Sequence, residues 1–448
     1  MFTSTVGNTF LKAYNQSNNT EYSVKKFYDE IFIPLFFDHN KYMMTAGNSP
    51  LENPKIAWEK MIKEEIPFES AELRQNRIQK MAEKIENEPI DASFAVGYPT
   101  DDETAGTSGQ ITTIDIDNSK DDVYLSWIGA ALGIGIQGGF SILYNDGELL
   151  VDVFSGWKHY RHYLENFPKL RGNQINTWNG KWLCHLYDTR KYDVDNPLYG
   201  FSEPSESAKG LFEFLTVSWV KVITKIAQKK KANNYLGYIY NIGQTNTTIG
   251  FIPFELPQIR KPYELYRKLF GENDYLRHET KINELLGGEI GFKSACKKGA
   301  IGIEALEPKG LKAYMPAHGK KIKMPDYRKA DEDQVITFNT YKIWVLAMLN
   351  NEELWEKSHQ IARLLGKYES GADKARRDRT NNVEKFFGSF SRKTFIEYLI
   401  PIMENTGEPE IIYNVGEIVN KMTNEDVKYF VTLIRFQYAN ISKDSQNN

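Results

Sequence analysis

The chain has 448 residues, of which 41% are hydrophobic and 26% charged, a composition typical of a globular protein with two or three domains. Two cysteines, Cys184 and Cys296, exclude a disulfide framework and indicate a reducing compartment. The net charge of −3 excludes a uniformly basic protein. Because no basic segment followed by an apolar one stands near Met1, we expect no signal peptide and a cytoplasmic location.

Charge is distributed unevenly along the chain. Residues 83–122 hold eleven Asp and Glu against two Lys and Arg, a balance of −9. Residues 291–330 hold ten cations against three acids, a balance of +7, and residues 363–393 hold nine against four, a balance of +5. Each run alone is typical of a solvated surface, but two separate basic regions together indicate contact with a polyanion.

The N-terminal region, residues 1–200, combines helical periods with short strands. Residues 55–88 have the pattern of a polar amphipathic helix that Pro67 interrupts. Residues 93–122 are rich in Gly, Thr and Asp, which predicts an exposed loop with a short strand at Ile111–Ile116. This region is therefore predicted to be a mixed α+β structure.

An uncharged segment, residues 123–145, is long enough to span a membrane. Glycines interrupt it, its flanks are acidic, and no Lys or Arg cluster follows it. Asn145-Asp146-Gly147 is a hairpin signal between two strand-like runs, FSILY and ELLVDVF. We therefore predict a helix, a hairpin and a second helix over residues 123–165, and no membrane partner.

The middle region, residues 201–335, is predicted to hold one helix, one strand pair and a basic irregular part. Apolar residues recur at helical spacing over 212–231. Aromatic and β-branched residues flank a polar turn in 235–256, which predicts the strand pair. Residues 257–335 are basic and punctuated by Gly and Pro, so we expect them to be irregular.

The C-terminal region, residues 336–448, consists of successive amphipathic segments, which predict a helical bundle. Ser391 and Asn424 are candidate helix N-caps, and Gly407-Glu408-Pro409 is a candidate break between helices. The predicted fold class is α+β, with a mixed N-terminal region of short strands and hairpins and a C-terminal helical bundle.

No pattern in the sequence establishes catalytic chemistry. Gly133, Gly135 and Gly138 match the spacing GxGxxG, but a helix-like run precedes them and a strand follows. A dinucleotide site requires the opposite order, because the pyrophosphate sits at a helix N-terminus after a strand. No phosphate-binding loop, nucleophile elbow or zinc-protease motif occurs.

Histidines and cysteines offer a weak alternative. His159 and His162, with the adjacent pair Cys184 and His185, supply metal-ligand types but lack the paired spacing of a zinc site. We therefore predict that the chain is not an enzyme and binds no cofactor or metal. The alternative is a metal-dependent nucleic-acid-processing hydrolase that uses His159 and His162.

The stretch LRGNQINTWNGKW, residues 170–182, is predicted to be a recognition loop. Nucleic acid is held by cations and aromatic rings, and Asn, Gln, Arg and Lys present the groups that recognise base edges. In the alternative, Trp178 and Trp182 fill a core while the amides cap turns. The candidate nucleic-acid-binding residues of this stretch are Arg171, Asn173, Gln174, Asn176, Trp178, Asn179 and Lys181.

Further cations lie in the two basic regions. They stand in glycine-containing loops or crowd the start of a predicted helix, where side chains can contact phosphates. Solvated surface is the alternative for each of them. These candidates are Lys297, Lys298, Lys320, Lys321, Lys323, Arg376, Arg377 and Arg379.

Several blocks of the sequence resemble one family. GNTFLKAYN, FIPLFFDHNKYM, SWIGAALGIGIQGG, GWKHYRHYL and LRGNQINTWNGKW are similar to the large subunit of type I CRISPR Cascade surveillance complexes, in a variant found in Bacteroidetes-type loci. RRDRTNNVEKFFGSFSRKTFIEYL and FVTLIRFQYA carry the resemblance to the C-terminal region. None of these blocks is a catalytic signature.

The resemblance implies a non-catalytic subunit that recognises the protospacer-adjacent motif and stabilises opened target DNA for a recruited helicase–nuclease. Its implied partners are guide RNA, target DNA and the other Cascade subunits, with base pairing supplying the sequence specificity. The resemblance would place recognition of the protospacer-adjacent motif in the N-terminal part. It would place contacts to the displaced DNA strand at Arg376, Arg377 and Arg379. A scaffold that binds only protein, through the acidic residues 83–122, is a further alternative.

Overall fold

Two compact units make up the chain, Met1–Phe254 and Glu255–Asn448, called unit 1 and unit 2 below. The computed structural model describes residues 1–47, 49–52, 55–98, 119–231, 234–241, 248–317, 321–371 and 376–444. Of the described residues, 60% are helical, and a small antiparallel sheet accompanies the helices, so the predicted α+β class is confirmed. Among the described residues, no helix combines the length and apolar character that a membrane span requires.

Unit 1 opens with helices, and a π-helical turn at Tyr28–Phe32 joins two of them. Pro67 lies between two of these helices, as the polar pattern of residues 55–88 predicts, whereas the predicted strand Ile111–Ile116 lies outside the described residues. The helices are α1 Phe2–Asn18, α2 Val24–Phe27, α3 Ile33–Phe36, α4 Lys55–Ile62, α5 Ala71–Asn87 and α6 Lys120–Ala131.

Helices α1 and α6 cross at two glycines. A Cβ atom on Gly129 would lie 1.9 Å from the carbonyl oxygen of Thr3, and one on Gly7 would lie 2.2 Å from the carbonyl oxygen of Leu125. Only glycine permits such an approach between two backbones. The crossing brings buried Val6, on α1, into the core of unit 1.

A four-stranded antiparallel sheet follows, with strand order β1-β2-β5-β6. Ile142 of β2 pairs with Ile134 of β1 on one side and with Ile239 of β5 on the other. All three side chains are buried, so they form one apolar row across the sheet. The remaining elements of unit 1 are β1 Ile134–Ile136, β2 Phe140–Tyr144, α7 Gly147–Ser155, α8 Trp157–Asn166, α9 Ile175–Leu186, β3 Ser205–Glu206, β4 Phe212–Glu213, α10 Trp219–Lys229, β5 Asn234–Asn241 and β6 Thr248–Glu255.

The predicted hairpin at Asn145-Asp146-Gly147 is wrong. Asp146 instead caps α7, since its Oδ1 accepts a hydrogen bond from the backbone N–H of Leu149 at 2.9 Å. The turn between β1 and β2 is made by Gly138 and Gly139, both with positive φ. Aspartate before glycine suits a hairpin and a helix N-cap equally well, so the local pattern alone does not separate the two.

The strand pair predicted over 235–256 is confirmed by β5 and β6. The helix predicted over 212–231 begins later, at Trp219, where the Ser218 side chain accepts from the N–H of Lys221. Residues before Ser218 are extended, and Leu215 is 58% exposed rather than buried. Leu215 matches the helical spacing of apolar residues although it lies outside the helix. The sequence pattern therefore placed the start of the helix about two turns too early.

Unit 2 consists of helices and, between α13 and α14, largely irregular chain with short 3-10 turns at Ile303–Leu306 and Leu311–Tyr314. The C-terminal bundle is confirmed, and its last helix packs against four others and buries Val427, Phe430 and Ile434. The helices are α11 Leu256–Phe270, α12 Glu272–Leu285, α13 Phe292–Cys296, α14 Glu332–Leu349, α15 Glu353–Glu369, α16 Arg376–Phe387, α17 Arg392–Thr406, α18 Pro409–Asn420 and α19 Asn424–Asp444.

Two details of unit 2 correct the sequence-based expectations. Residues 256–285 form two helices that meet at Gly271 rather than irregular structure. Pro257 falls in the first turn of α11, where its missing N–H costs no hydrogen bond, and Pro262 lies inside the helix. Ser391 caps α17 as predicted. Asn424 does not cap α19, since the side chain of Thr423 accepts from the N–H of Asp426 at 3.1 Å and so takes that position.

Candidate nucleic-acid interfaces

The stretch 170–182 is largely helical, so its prediction as a loop is wrong. Helix α9 begins at Ile175, after Asn173 has turned the chain with a φ of 59°. Ile175, Trp178 and Trp182 lie on one buried face at helical spacing. The intervening asparagines and glycine are weak helix formers, so tertiary packing overrides their propensity.

Two asparagine side chains of α9 bind the end of helix α6. Asn179 donates from Nδ2 to the carbonyl oxygens of Ala131 at 2.8 Å and Gly133 at 2.9 Å. Asn176 donates to the same Gly133 oxygen at 3.0 Å. The last carbonyls of a helix lack partners within it, and these amides satisfy them. A Cβ on Gly135 would lie 2.8 Å from the backbone of Asn176, so the glycines of the GxGxxG match allow β1 to approach α9.

Gln174 joins two segments of unit 1 through its side-chain amide. Its Nε2 donates to the carbonyl oxygen of Phe214 at 3.2 Å, and its Oε1 accepts from the N–H of Phe214 at 3.1 Å. Asn173 donates its backbone N–H to the carbonyl oxygen of Tyr42 at 2.8 Å. The side-chain amides of Gln174, Asn176 and Asn179 therefore already bind backbone groups of this chain, whereas Asn173 Oδ1 is buried without a hydrogen-bond partner among the described residues.

The two cations of this stretch, Arg171 and Lys181, reach its surface. Trp178 and Asn179 have no exposed area, and the Trp178 ring stacks on Tyr160 with centroids 5.1 Å apart. Arg171 is exposed, with Nη1 3.7 Å from a Glu213 carboxylate oxygen. Lys181 is half-buried over the ring of Phe214. In this conformation Arg171 and Lys181 are the candidates that can reach a phosphate.

We expect Asn179→Leu to lower the free energy of unfolding by about 2–4 kcal/mol, because it leaves buried hydrogen-bonding groups without partners. These are the carbonyls of Ala131 and Gly133 and the indole N–H of Trp157, which donates to Asn179 Oδ1 at 3.2 Å. Urea denaturation followed by tryptophan fluorescence measures the loss. Asn414→Leu, on an exposed face of α18, is the matched control and should change stability little.

Lysines of the first basic region stand on the surface of unit 2. Lys297 and Lys298 follow α13, and Lys298 Nζ lies 3.1 Å from a Glu304 carboxylate oxygen. Lys321 and Lys323 are exposed, and the N–H of Lys323 donates to the carbonyl oxygen of Ala313. Lys320 lies outside the described residues. No hydrogen bond or ion pair of the described residues links the 297–298 lysines to those at 321 and 323.

Arginines of the second basic region lie in the first turn of α16. The helix begins at Arg376, whose side chain lies outside the described residues, and Arg377 is exposed. Arg379 is half-buried and donates from Nη2 to the carbonyl oxygen of Gly371. Arg377 is therefore the arginine of this group whose described side chain faces solvent.

Helix α10 carries two lysines that were not among the predicted site residues. Lys221 is exposed, and Lys225 is buried with Nζ 3.9 Å from an Asp188 carboxylate oxygen. Their spacing of four residues puts them on one side of α10, a helix that packs against α9. Lys230 is different, since it is buried and lies 3.1 Å from Asp152.

The histidines of the alternative metal site have other contacts. His159 packs on Trp182 with ring centroids 5.0 Å apart, and His162 contacts the Asn166 amide at 3.1 Å. His185 Nε2 lies 2.9 Å from the carbonyl oxygen of Pro197. The described part of the chain contains no group of three or more His, Cys, Asp or Glu side chains placed to hold a metal ion.

Comparison with known proteins identifies no relative of this chain. No protein-family model, curated protein or solved structure matches this chain. The function is therefore inferred from the arrangement of the chain's own side chains and from the resemblance of its sequence blocks.

Proposed function

We propose that the chain is a non-catalytic nucleic-acid-binding large subunit of a type I CRISPR surveillance complex in the cytoplasm. Its partners would be guide RNA, target DNA, the other Cascade subunits and a helicase–nuclease recruited on target binding. The resemblance of blocks spread from residue 7 to residue 439 supports the family assignment. The surface charge described next supports the binding role.

Unneutralised positive charge on the surface carries the proposal. Lys297, Lys321, Lys323 and Arg377 are exposed, and none has a carboxylate within ion-pair distance among the described residues. Other cations of unit 2, such as Lys261 with Glu352, do have such a partner. Exposed cations without counterions attract phosphates and release condensed counterions on binding.

These cations would bind nucleic acid of any base sequence. Phosphate contacts position a protein on nucleic acid, whereas base pairing with the guide RNA selects the target. Under this proposal, unit 2 holds backbone phosphates through Lys297, Lys321, Lys323 and Arg377. Arg171 and Lys181 of unit 1 contribute from the stretch that the family resemblance associates with motif recognition.

The test is target binding by the assembled complex that carries a Lys321→Glu/Lys323→Glu/Arg377→Glu variant. We expect the variant to bind duplex target DNA about tenfold or more weakly near physiological salt, because three attractive interactions with phosphates become repulsive. A gel shift at several potassium chloride concentrations measures the affinity. The slope of log affinity against log salt should fall by about one for each side chain that no longer binds a phosphate.

Lys12→Glu/Lys60→Glu/Lys80→Glu is the control, because it makes the same change in net charge at three exposed lysines outside the predicted regions. Equal loss of binding in both triple variants would show that only net charge matters and would contradict the proposal. Failure of the chain to co-purify with the other Cascade subunits and guide RNA would contradict the family assignment. Binding that does not depend on salt would favour a protein-only scaffold.

A further inference from the structure

Arg435 of helix α19 is a buried cation without a carboxylate partner. Its side chain has no exposed area, and no carboxylate of the described residues lies within ion-pair distance of it. Burial lowers the pKa of its guanidinium to about 10. A buried charge that no opposite charge offsets costs free energy. The partners that this guanidinium has instead are backbone carbonyl oxygens.

The guanidinium of Arg435 joins two segments of unit 2. Its Nη1 donates to the carbonyl oxygen of Tyr314, and its Nη2 donates to the carbonyl oxygen of Phe387. Tyr314 ends a 3-10 turn and Phe387 ends helix α16, so the two oxygens come from distant parts of the chain. They lie within about 8 Å of each other, because each hydrogen bond is about 3 Å long and the guanidinium is a small rigid plane.

The first segment carries an exposed lysine of the basic region 291–330. The N–H of Lys323 donates to the carbonyl oxygen of Ala313 at 2.9 Å, and Ala313 directly precedes Tyr314. The backbone of Lys323 therefore lies one hydrogen bond away from the turn that Arg435 holds.

The second segment carries an exposed lysine of the basic region 363–393. Lys385 lies in the last turn of α16, two residues before Phe387. Like Lys323, it is exposed and has no carboxylate within ion-pair distance among the described residues. Arg435 therefore binds one segment of each basic region.

We propose that Arg435 is a positioning residue that joins the two basic regions of unit 2 into one phosphate-binding surface, to which Lys323 and Lys385 contribute. The inference rests on the proposed function and deepens it, because it states how cations from distant parts of the chain hold one nucleic-acid strand. A strand binds a joined surface more tightly than two independent ones, since the second contact forms within a strand already bound. Arg435 itself is buried and acts through the segments it holds.

A distance measurement on the full chain tests the positioning without any ligand. Nitroxide labels are attached to a Lys323→Cys/Lys385→Cys variant, and double electron–electron resonance measures the distribution of distances between them. Burial raises the pKa of both natural thiols, Cys184 and Cys296, to about 11, so they react little with the label near neutral pH. We expect a narrow distribution when Arg435 is present and loss of the narrow peak in Arg435→Met.

Arg277→Met is the matched control, because it removes one guanidinium at an exposed position of unit 2 outside both basic regions. It should leave the distances between the labels as they are in the natural chain. Far-UV circular dichroism checks that each variant folds. Arg435→Gln, which keeps an amide donor without the charge, serves if Arg435→Met does not fold.

Binding of a fluorescent oligothymidylate, measured by anisotropy at several salt concentrations, tests the joined surface. In the natural chain, Lys323→Gln/Lys385→Gln should lower the slope of log affinity against log salt by about 1.4, or about 0.7 for each lost phosphate contact of a single strand. In the Arg435→Met chain the two regions no longer hold the same strand, so the same double change should lower the slope by about 0.7. The Arg277→Met chain should behave as the natural chain does.

A distance distribution that Arg435→Met leaves unchanged would overturn the inference. Equal slope losses from the double lysine change in both chains would overturn it as well, because the two regions would then act independently. Loss of the narrow peak in a chain that binds no oligonucleotide would retain Arg435 as the anchor of the two segments. That result would contradict the proposed function instead.

Discussion

Lys342→Met is expected to stabilise the chain by about 3 kcal/mol near pH 6.5, because it removes a buried charge that has no counterion among the described residues. Lys342 lies on α14 and is 3% exposed. The ammonium nitrogen lies 5.2 Å from the ring centre of Phe270, 5.5 Å from that of Trp355 and 5.7 Å from that of Tyr327. These rings offset part of the desolvation cost through cation–π attraction. Methionine fills the same space without a charge.

The gain should depend on pH in a defined direction. Burial lowers the pKa of Lys342 from its ordinary 10.5 to about 7. Between these values the unfolded chain binds a proton that the folded chain lacks, so stability of the natural chain rises with pH. Below about pH 7 both states are protonated and the contribution is constant. The advantage of Lys342→Met is therefore largest at and below pH 7 and shrinks toward pH 10.5.

Urea denaturation of the full chain and the variant at pH 6.5, 8 and 9.5 measures this difference. His359, whose pKa is lowered mainly by burial, also faces Lys342, and histidine ordinarily titrates near the lowest of these pH values, so the change between pH 8 and pH 9.5 is the one that reports on Lys342 alone. Lys321→Met, at an exposed lysine of the same unit, is the control and should show no such pH dependence. A difference between Lys342→Met and the natural chain that stays constant with pH would contradict burial of the charged form.

Gly129→Ala is expected to destabilise unit 1 by about 3 kcal/mol or more, because the new methyl group cannot be accommodated. Its Cβ would lie 1.9 Å from the carbonyl oxygen of Thr3 and 3.0 Å from the backbone nitrogen of Gly7. Both neighbours are backbone atoms, so no rotamer change relieves the clash. Helix α1 would have to move away from α6 and expose part of the core that Val6 and Phe10 fill.

Gly416→Ala provides the matched control for this prediction. Gly416 lies inside α18, and a Cβ there meets no atom within 4 Å. Alanine should therefore stabilise that helix by up to about 1 kcal/mol through its higher helix propensity. Thermal unfolding by circular dichroism compares the two variants. A Gly129→Ala protein as stable as Gly416→Ala would mean that the α1–α6 crossing is looser than the structure shows.

Long periodic segments were predictable because their burial follows from helix geometry alone. Helix α19 repeats apolar residues at Val427, Phe430 and Ile434, so its inner face can be identified before any neighbour is known. The same holds for the pair β5 and β6, where aromatic and β-branched residues flank a polar turn. In both cases one face is apolar whatever it packs against.

Short segments with mixed signals were not predictable in this way. Asp146 suits a turn or a helix cap, and the choice depends on β2 pairing with β1 and β5 rather than with residues after Gly147. Residues 256–285 contain Pro257 and Pro262, which suggested irregular structure. The apolar residues of α11, among them Ile259 and Tyr263, are nevertheless buried in unit 2 and hold the helix together.

By itself the sequence determined the fold class, the C-terminal bundle and the location of the basic regions, because composition, period and charge are local properties. Tertiary structure alone decided how the residues of 170–182 are used. The amides of Gln174, Asn176 and Asn179 bind backbone groups of Phe214 and Gly133, which lie 40 or more positions away in the chain. The same packing buries Trp178 and Trp182, which no local pattern separates from rings offered for stacking.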